Sequence, residues 1–131
     1  MLNLHTEVLD SGLTLYFISS DSLSCLNPEH SKEDFVTLGL ACRLNALSMI
    51  KAAGSGHIGS SFSAIDLILA SRIFSQKNPS NIFFSSKGHD APGLYAVMNA
   101  FGEIPDEKLL ELRTINAVSY THLTLPTKRI V

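Results

Sequence analysis

The stretch Ile82-Phe83-Phe84-Ser85-Ser86-Lys87-Gly88-His89-Asp90-Ala91-Pro92 decides how this chain reads as a fold. Its first three positions are apolar without alternation, the pattern of a short strand buried on both faces and hence of a central strand in a parallel sheet. Pro92 suits the first turn of a helix, where a missing amide costs nothing. The pattern predicts a strand, then a turn carrying Lys87, Gly88 and His89, then a helix from Leu94 through Phe101 to a stop at Gly102. In open α/β sheets the ligand crevice lies beyond the carboxyl ends of strands, so His89 stands where a phosphate or polar substrate would be met.

Working back from this unit, Ser63 with Asp66 three residues on has the form of a helix cap. It predicts a helix through Ile65, Leu67, Ile68, Leu69 and Ile73 towards Phe74, closed by an Asn78-Pro79 turn. Ser31 and Asp34 repeat the cap pattern, and Gly54 provides a stop for the helix between. Within that helix Leu40, Leu44, Leu47 and Ile50, with Ala41 and Ala53 alongside, recur at spacings of three and four and read as the core stripe; Arg43, Asn45 and Lys51 lie off it. Leu13-Thr14-Leu15-Tyr16-Phe17-Ile18 reads either as a strand or as part of an unstructured extension. Pro105-Asp106-Glu107 opens a last helix, its carboxylates complementing the dipole. The order helix, helix, strand, helix, helix predicts an α/β fold with a parallel sheet flanked by helices, and Phe83, Phe84, Tyr95 and Phe101 read as core.

With 131 residues and 45% apolar content, the chain has room for one compact domain. The uninterrupted apolar runs at 65–70 and 82–84 are far shorter than the roughly 20 residues of a membrane span, so no membrane partner is expected. The start of the chain carries Glu7 and Asp10 and no basic leader, which makes a cytoplasmic location the expectation. A net charge of −2 without a basic patch predicts no nucleic-acid partner. Cys25 and Cys42 stand apart from each other and from any ligand cluster, and read as buried or half-buried thiols in a reducing compartment.

A second segment, Gly54-Ser55-Gly56-His57-Ile58-Gly59-Ser60, sets a histidine between glycines that let backbone approach a ligand closely. Either imidazole can pass protons near neutral pH or hydrogen-bond sugar hydroxyls. The glycine spacing lies between helices instead of after a strand, so a dinucleotide site is not read here. Two histidines without a third ligand make no metal site. Taken singly, Lys87 reads as a solvated loop charge and Asp66 and Asp90 as capping groups.

Taken together, the ordered motifs say more. Arg43-x-x-Ala46-Leu47-x-Met49-Ile50, Ser55-Gly56-His57-x-Gly59, Ser61-x-Ser63-Ala64-x-Asp66, Ser86-Lys87-Gly88-His89-x-Ala91-Pro92-x-Leu94-Tyr95 and Leu109-Leu110-x-Leu112-Arg113 resemble the start of a transketolase over roughly residues 36–116. Ile58 fits the short, split N-terminal subunits of that family. The resemblance implies a thiamine-diphosphate-binding fold and the transfer of a two-carbon ketol unit from a ketose phosphate to an aldose phosphate. It implies that His57 is catalytic and substrate-binding, and that His89 touches both substrate and cofactor. Thiamine diphosphate and Mg2+ are the implied cofactors, with the metal motif outside these residues. The implied partners are sugar phosphates and a C-terminal transketolase domain or subunit in a dimeric full enzyme, so the segment alone is expected to be inactive. Two other readings stand beside it: a related thiamine-diphosphate-dependent deoxyxylulose-phosphate synthase, and a noncatalytic sugar-phosphate-binding or assembly subunit.

Residues 118–131 resemble the translation of a sequencing adapter, with a native β-prone tail as the other reading. Without Lys128 and Arg129 the remaining chain, which holds all 12 acidic residues, has an acidic excess of four. The expected organisation is an N-terminal extension over 1–30, a transketolase-like part over 31–117, and this tail.

Overall fold

In the computed structural model, residues 2–54, 58–78, 80–84 and 90–109 are described. The chain opens with a hairpin: β1 (Leu4–Val8) pairs antiparallel with β2 (Thr14–Ile18), with Leu4 opposite Ile18 and Val8 opposite Thr14. The turn forms because Gly12 takes φ 88°, a left-handed conformation that a side chain disfavours, while its amide donates to Leu9 O at 2.8 Å. The strand read over residues 13–18 is present over Thr14–Ile18, and the reading of that stretch as unstructured gives way to it.

A short helix, α1 (Ser20–Leu23), follows, capped by the Ser19 hydroxyl, which accepts from Ser22 N. The long helix α2 (Lys32–Ala53) begins and ends where its caps predict. The Ser31 hydroxyl accepts from Asp34 N at 3.2 Å, and Gly54 closes the helix at φ 79° with its amide on Ile50 O and Lys51 O. The Asp34 carboxylate, by contrast, does not complete a reciprocal box; it accepts from Asn27 N at 2.8 Å and ties the preceding turn to the helix.

The buried face of α2 differs from the predicted stripe. Leu38, Ala41, Cys42, Asn45, Ala46, Ser48, Met49 and Ile50 are buried, whereas Leu40 and Leu47 are exposed. Small residues let neighbouring backbones approach closely, so the face rich in alanine, serine and cysteine takes the packing and two leucines face outward. Asn45, read as off the core, is buried because its amide clamps β2: Oδ1 accepts from Ile18 N at 2.8 Å and Nδ2 donates to Ile18 O at 2.9 Å. Ser48 Oγ donates to Tyr16 O, and Lys51 Nζ donates to Thr14 O at 2.9 Å. Helix side chains thus satisfy one edge of the hairpin.

Helix α3 (Ile58–Lys77) begins five residues before the predicted start, so Ser63 lies inside it and its hydroxyl donates to Ser60 O. Asp66 is correspondingly no cap. The predicted turn after α3 is visible at Asn78, whose Oδ1 accepts from Ser80 N at 3.0 Å; Pro79 lies outside the described residues. Helix α4 (Ala91–Ala100) has Pro92 in its first turn and is followed by Gly102 at φ 79°, as predicted. Helix α5 (Asp106–Leu109) opens on its two acidic residues. The core joins Leu38, Ala41, Cys42, Ala46 and Met49 of α2 to Ile65, Ile68 and Leu69 of α3 and to Tyr95, Ala96 and Val97 of α4. Asn99 links three elements: its Nδ2 donates to Ile104 O at 2.9 Å and to Asp106 Oδ1 at 2.7 Å, and the same carboxylate accepts from Ser20 N.

The chain is therefore mixed helix and strand, but its sheet is a two-stranded antiparallel hairpin. The predicted parallel strand is not formed: residues 81–84 have no regular structure, and Ile82 and Phe84 are exposed. A strand needs a neighbour for its backbone groups, and among the described residues none runs beside this segment. Phe83, Phe101 and Tyr95 do pack on the core, as predicted; Phe84 does not. Taken as whole helices, α2 and α3 are each long and apolar enough to cross a membrane by length and composition alone, which the shorter uninterrupted runs had not indicated. Half of the apolar window of α2 is buried in the protein, and 22% of that of α3.

Cys25 is exposed, against expectation, and Cys42 is buried; both are free. Burial, partly offset by the charge of Arg43, pushes the Cys42 thiol from 9.0 up to about 12. The fold favours the neutral thiol, so its contribution is intact below about pH 9 and is lost as the pH rises towards about 12. The difference in urea midpoint between the chain and Cys42→Ala is expected to narrow across that window. A thiol reagent should label Cys25 in the native protein and Cys42 only after denaturant is added.

Candidate functional site

The two histidine segments lead directly into helix starts that the fold places together. Gly54 ends α2 and Ile58 opens α3; Asp90 precedes α4, which opens at Ala91. His57 and His89, with Ser55, Gly56, Ser85, Ser86, Lys87 and Gly88, lie outside the described residues. What is described is the scaffold that flanks them in sequence.

That scaffold is fixed by one crossing. Gly93, in the first turn of α4, packs on Ser61, in the first turn of α3. A methyl group added to Gly93 would lie 3.0 Å from Ser61 O, 3.1 Å from Ile65 Cγ1 and 3.4 Å from Ser61 Cα. A helix advances about 5.4 Å per turn. A contact this early in both helices therefore brings their two starts to the same part of the molecule, and with them Ile58 and Asp90. Glycine is required because backbone, not a flexible side-chain tip, fills the space its Cβ would take.

The crossing is polar as well as tight. Ser61 is fully buried, and its Oγ has no hydrogen-bond partner among the described residues. Asp90 is also buried, at the N-cap position of α4, yet its carboxylate makes no capping bond to the helix start. The first helical bond runs from Leu94 N to Asp90 O at 2.9 Å. The amides of Ala91 and Gly93 therefore precede the helical ladder, in the position where helix starts meet anions. Burial raises the phenol of Tyr95, one turn further on, well above its ordinary value.

Two residues of the quoted motifs meet in space. Arg43 of α2 pairs with Asp66 of α3 at 3.1 Å, and its other terminal nitrogen donates to Phe62 O at 3.0 Å. This pair holds the amino-terminal half of α3 against α2. It was missed because opposite charges 23 residues apart carry no signal until the helices are placed. Among the described residues, no three His, Cys, Asp or Glu side chains cluster closely enough to hold a metal ion.

Comparison with known proteins finds similar sequences over part of the chain. No family model matches, and no solved structure does. The transketolases of Mus musculus, Pongo abelii and Homo sapiens are 37%, 41% and 40% identical to the chain over 83 aligned residues. The alignment covers 57% of this chain and 13% of each of those proteins, so it spans a small part of their length. The matches support a transketolase fragment, in agreement with the motifs around His57 and His89.

Proposed function

We propose that these residues form part of the thiamine-diphosphate domain of a transketolase-like transferase, which moves a two-carbon ketol unit from a ketose phosphate to an aldose phosphate. The observation that carries the reading is the Gly93–Ser61 crossing, which gathers the two helix starts that follow the family's histidine segments. The residues present fit thiamine diphosphate in one respect: the amide end of α4, uncapped by Asp90, suits a diphosphate oxygen without a basic patch. When bound, the cofactor would supply the electron sink for carbon–carbon bond cleavage.

This chain's part is positioning and proton movement. His57 hydrogen-bonds the sugar and moves protons on its hydroxyls. His89 would bind both the sugar and the cofactor. Gly93 lets the starts of α3 and α4 approach closely, and the Arg43–Asp66 pair holds the α3 side. Mg2+ has no ligand set among the described residues. Sugar phosphates and a C-terminal transketolase domain or subunit are the partners this reading requires.

The test uses a transketolase-length protein carrying this segment. His57→Ala should lower ketol transfer by about 10²-fold while leaving thiamine-diphosphate affinity nearly intact. His89→Ala should weaken both. Unchanged turnover in His57→Ala, or a normal cofactor titration in His89→Ala, would remove the corresponding role.

A further inference from the structure

We infer that β1 is an interface through which two copies of this chain join their hairpins into one four-stranded sheet. The surface lies in residues 4–8, apart from the transketolase-like motifs, and does not depend on the proposed activity.

The first observation is an open edge. All five residues of β1 are exposed, and among the described residues β1 pairs with β2 alone. The other edge of the hairpin is closed, because Thr14 O, Tyr16 O and both backbone groups of Ile18 are bound by Lys51, Ser48 and Asn45. This also fixes which groups β1 offers. In an antiparallel ladder, facing residues alternate between pairs bonded to each other and pairs whose N–H and C=O point away on both strands. Thr14, Tyr16 and Ile18 point away, towards α2, and they face Val8, Thr6 and Leu4. Leu4, Thr6 and Val8 therefore present their N–H and C=O groups outward along the free edge.

The second observation is that the sequence Leu4-His5-Thr6-Glu7-Val8 is complementary to itself when run antiparallel about Thr6. Thr6 then faces Thr6 of the second copy, Leu4 faces Val8, and His5 faces Glu7. The outward-bonding residues Leu4, Thr6 and Val8 fall in the hydrogen-bonded pairs, as the register requires. His5 and Glu7 fall in the pairs without mutual hydrogen bonds, where side chains approach most closely. An imidazole meets a carboxylate on each side of the two-fold axis, and two apolar pairs cover the opposite face. Stacking on Phe17, with ring centroids 5.4 Å apart, already holds His5 in place.

A two-fold pairing uses the same patch on both copies and leaves no further edge, since α2 covers each outer strand. The assembly closes at two copies, with strand order β2, β1, β1 and β2, and it protects an edge that would otherwise invite indiscriminate pairing.

The experiment is sedimentation equilibrium of the whole chain across a dilution series, with three variants. The chain should show a concentration-dependent dimer mass. Thr6→Pro removes an outward amide and no bond to β2, so it should leave the far-ultraviolet circular dichroism unchanged and give a monomer. His5→Glu sets like charges opposite each other and should weaken association by about tenfold or more, whereas the charge-exchanged double variant H5E/E7K should restore it. A chain monomeric at every concentration, a dimer that persists in both Thr6→Pro and His5→Glu, or a double variant that stays dissociated would overturn the assignment.

Discussion

Gly93→Val is expected to lower the stability of the chain by about 3 kcal/mol, since overpacking a close contact costs roughly that much when backbone must move. The added Cβ alone would meet Ser61 O at 3.0 Å and Ile65 Cγ1 at 3.1 Å, and valine adds two methyl groups to that crowding. The carbonyl belongs to α3 itself, so relief requires separating α3 from α4. In a transketolase-length protein the same change should reduce ketol transfer, because it displaces both helix starts at once. Gly93→Ala should do the same with a smaller loss. Ser61→Ala is the control: it removes a buried hydroxyl that has no partner among the described residues, so stability should hold or rise slightly. Urea denaturation of the three variants checks the order. A Gly93→Val chain as stable as the parent would mean that the helices do not cross here.

Asn45→Leu should cost about 2–4 kcal/mol, because it strips partners from two backbone groups at once. Ile18 N and Ile18 O, bonded at 2.8 and 2.9 Å, would face a hydrocarbon side chain on a fully packed helix face. Lys51→Ala also removes a bond to β2, but an exposed one, and should stay within about 0.5 kcal/mol of the parent. Hydrogen exchange gives the more specific readout, since the Ile18 amide should lose protection in Asn45→Leu before α3 and α4 are affected. Equal losses in the two variants would contradict the clamp.

Features set by short-range chemistry were legible in the sequence. Ser31, Gly54, Pro92 and Gly102 each mark a helix boundary because a cap depends on residues within one turn. The buried face of α2 was not legible from its largest apolar residues, because packing against neighbours favoured Ala41, Cys42, Ala46 and Ser48 and left Leu40 and Leu47 outside. The start of α3 was missed because Ser63 and Asp66 imitate a cap while serving within the helix and in an ion pair. Ile82-Phe83-Phe84 has a strand's composition, but strand formation depends on a partner that composition does not reveal. β1 carried little signal, since three consecutive polar residues, His5, Thr6 and Glu7, separate Leu4 from Val8, and only the Asp10-Ser11-Gly12 turn marks the hairpin.

For the site, the sequence supplied the two histidines and their order, and the fold supplied the crossing that relates their flanks. Gly93 was not singled out in the sequence, since nothing local distinguishes a glycine needed for helix contact from one that is merely tolerated. Arg43 and Asp66 were visible as motif residues, and only the packing of α2 on α3 shows that they pair.

On the proposed function, the helix crossing brings the segments of His57 and His89 to one ligand. A crystal structure of a transketolase-length protein carrying this segment, bound to thiamine diphosphate and a sugar phosphate, tests it most directly. A ring nitrogen of His57 should then lie within about 3 Å of the sugar, and one of His89 equally near the cofactor or sugar. Rings turned to opposite sides of the molecule, or sealed among apolar side chains, would contradict it.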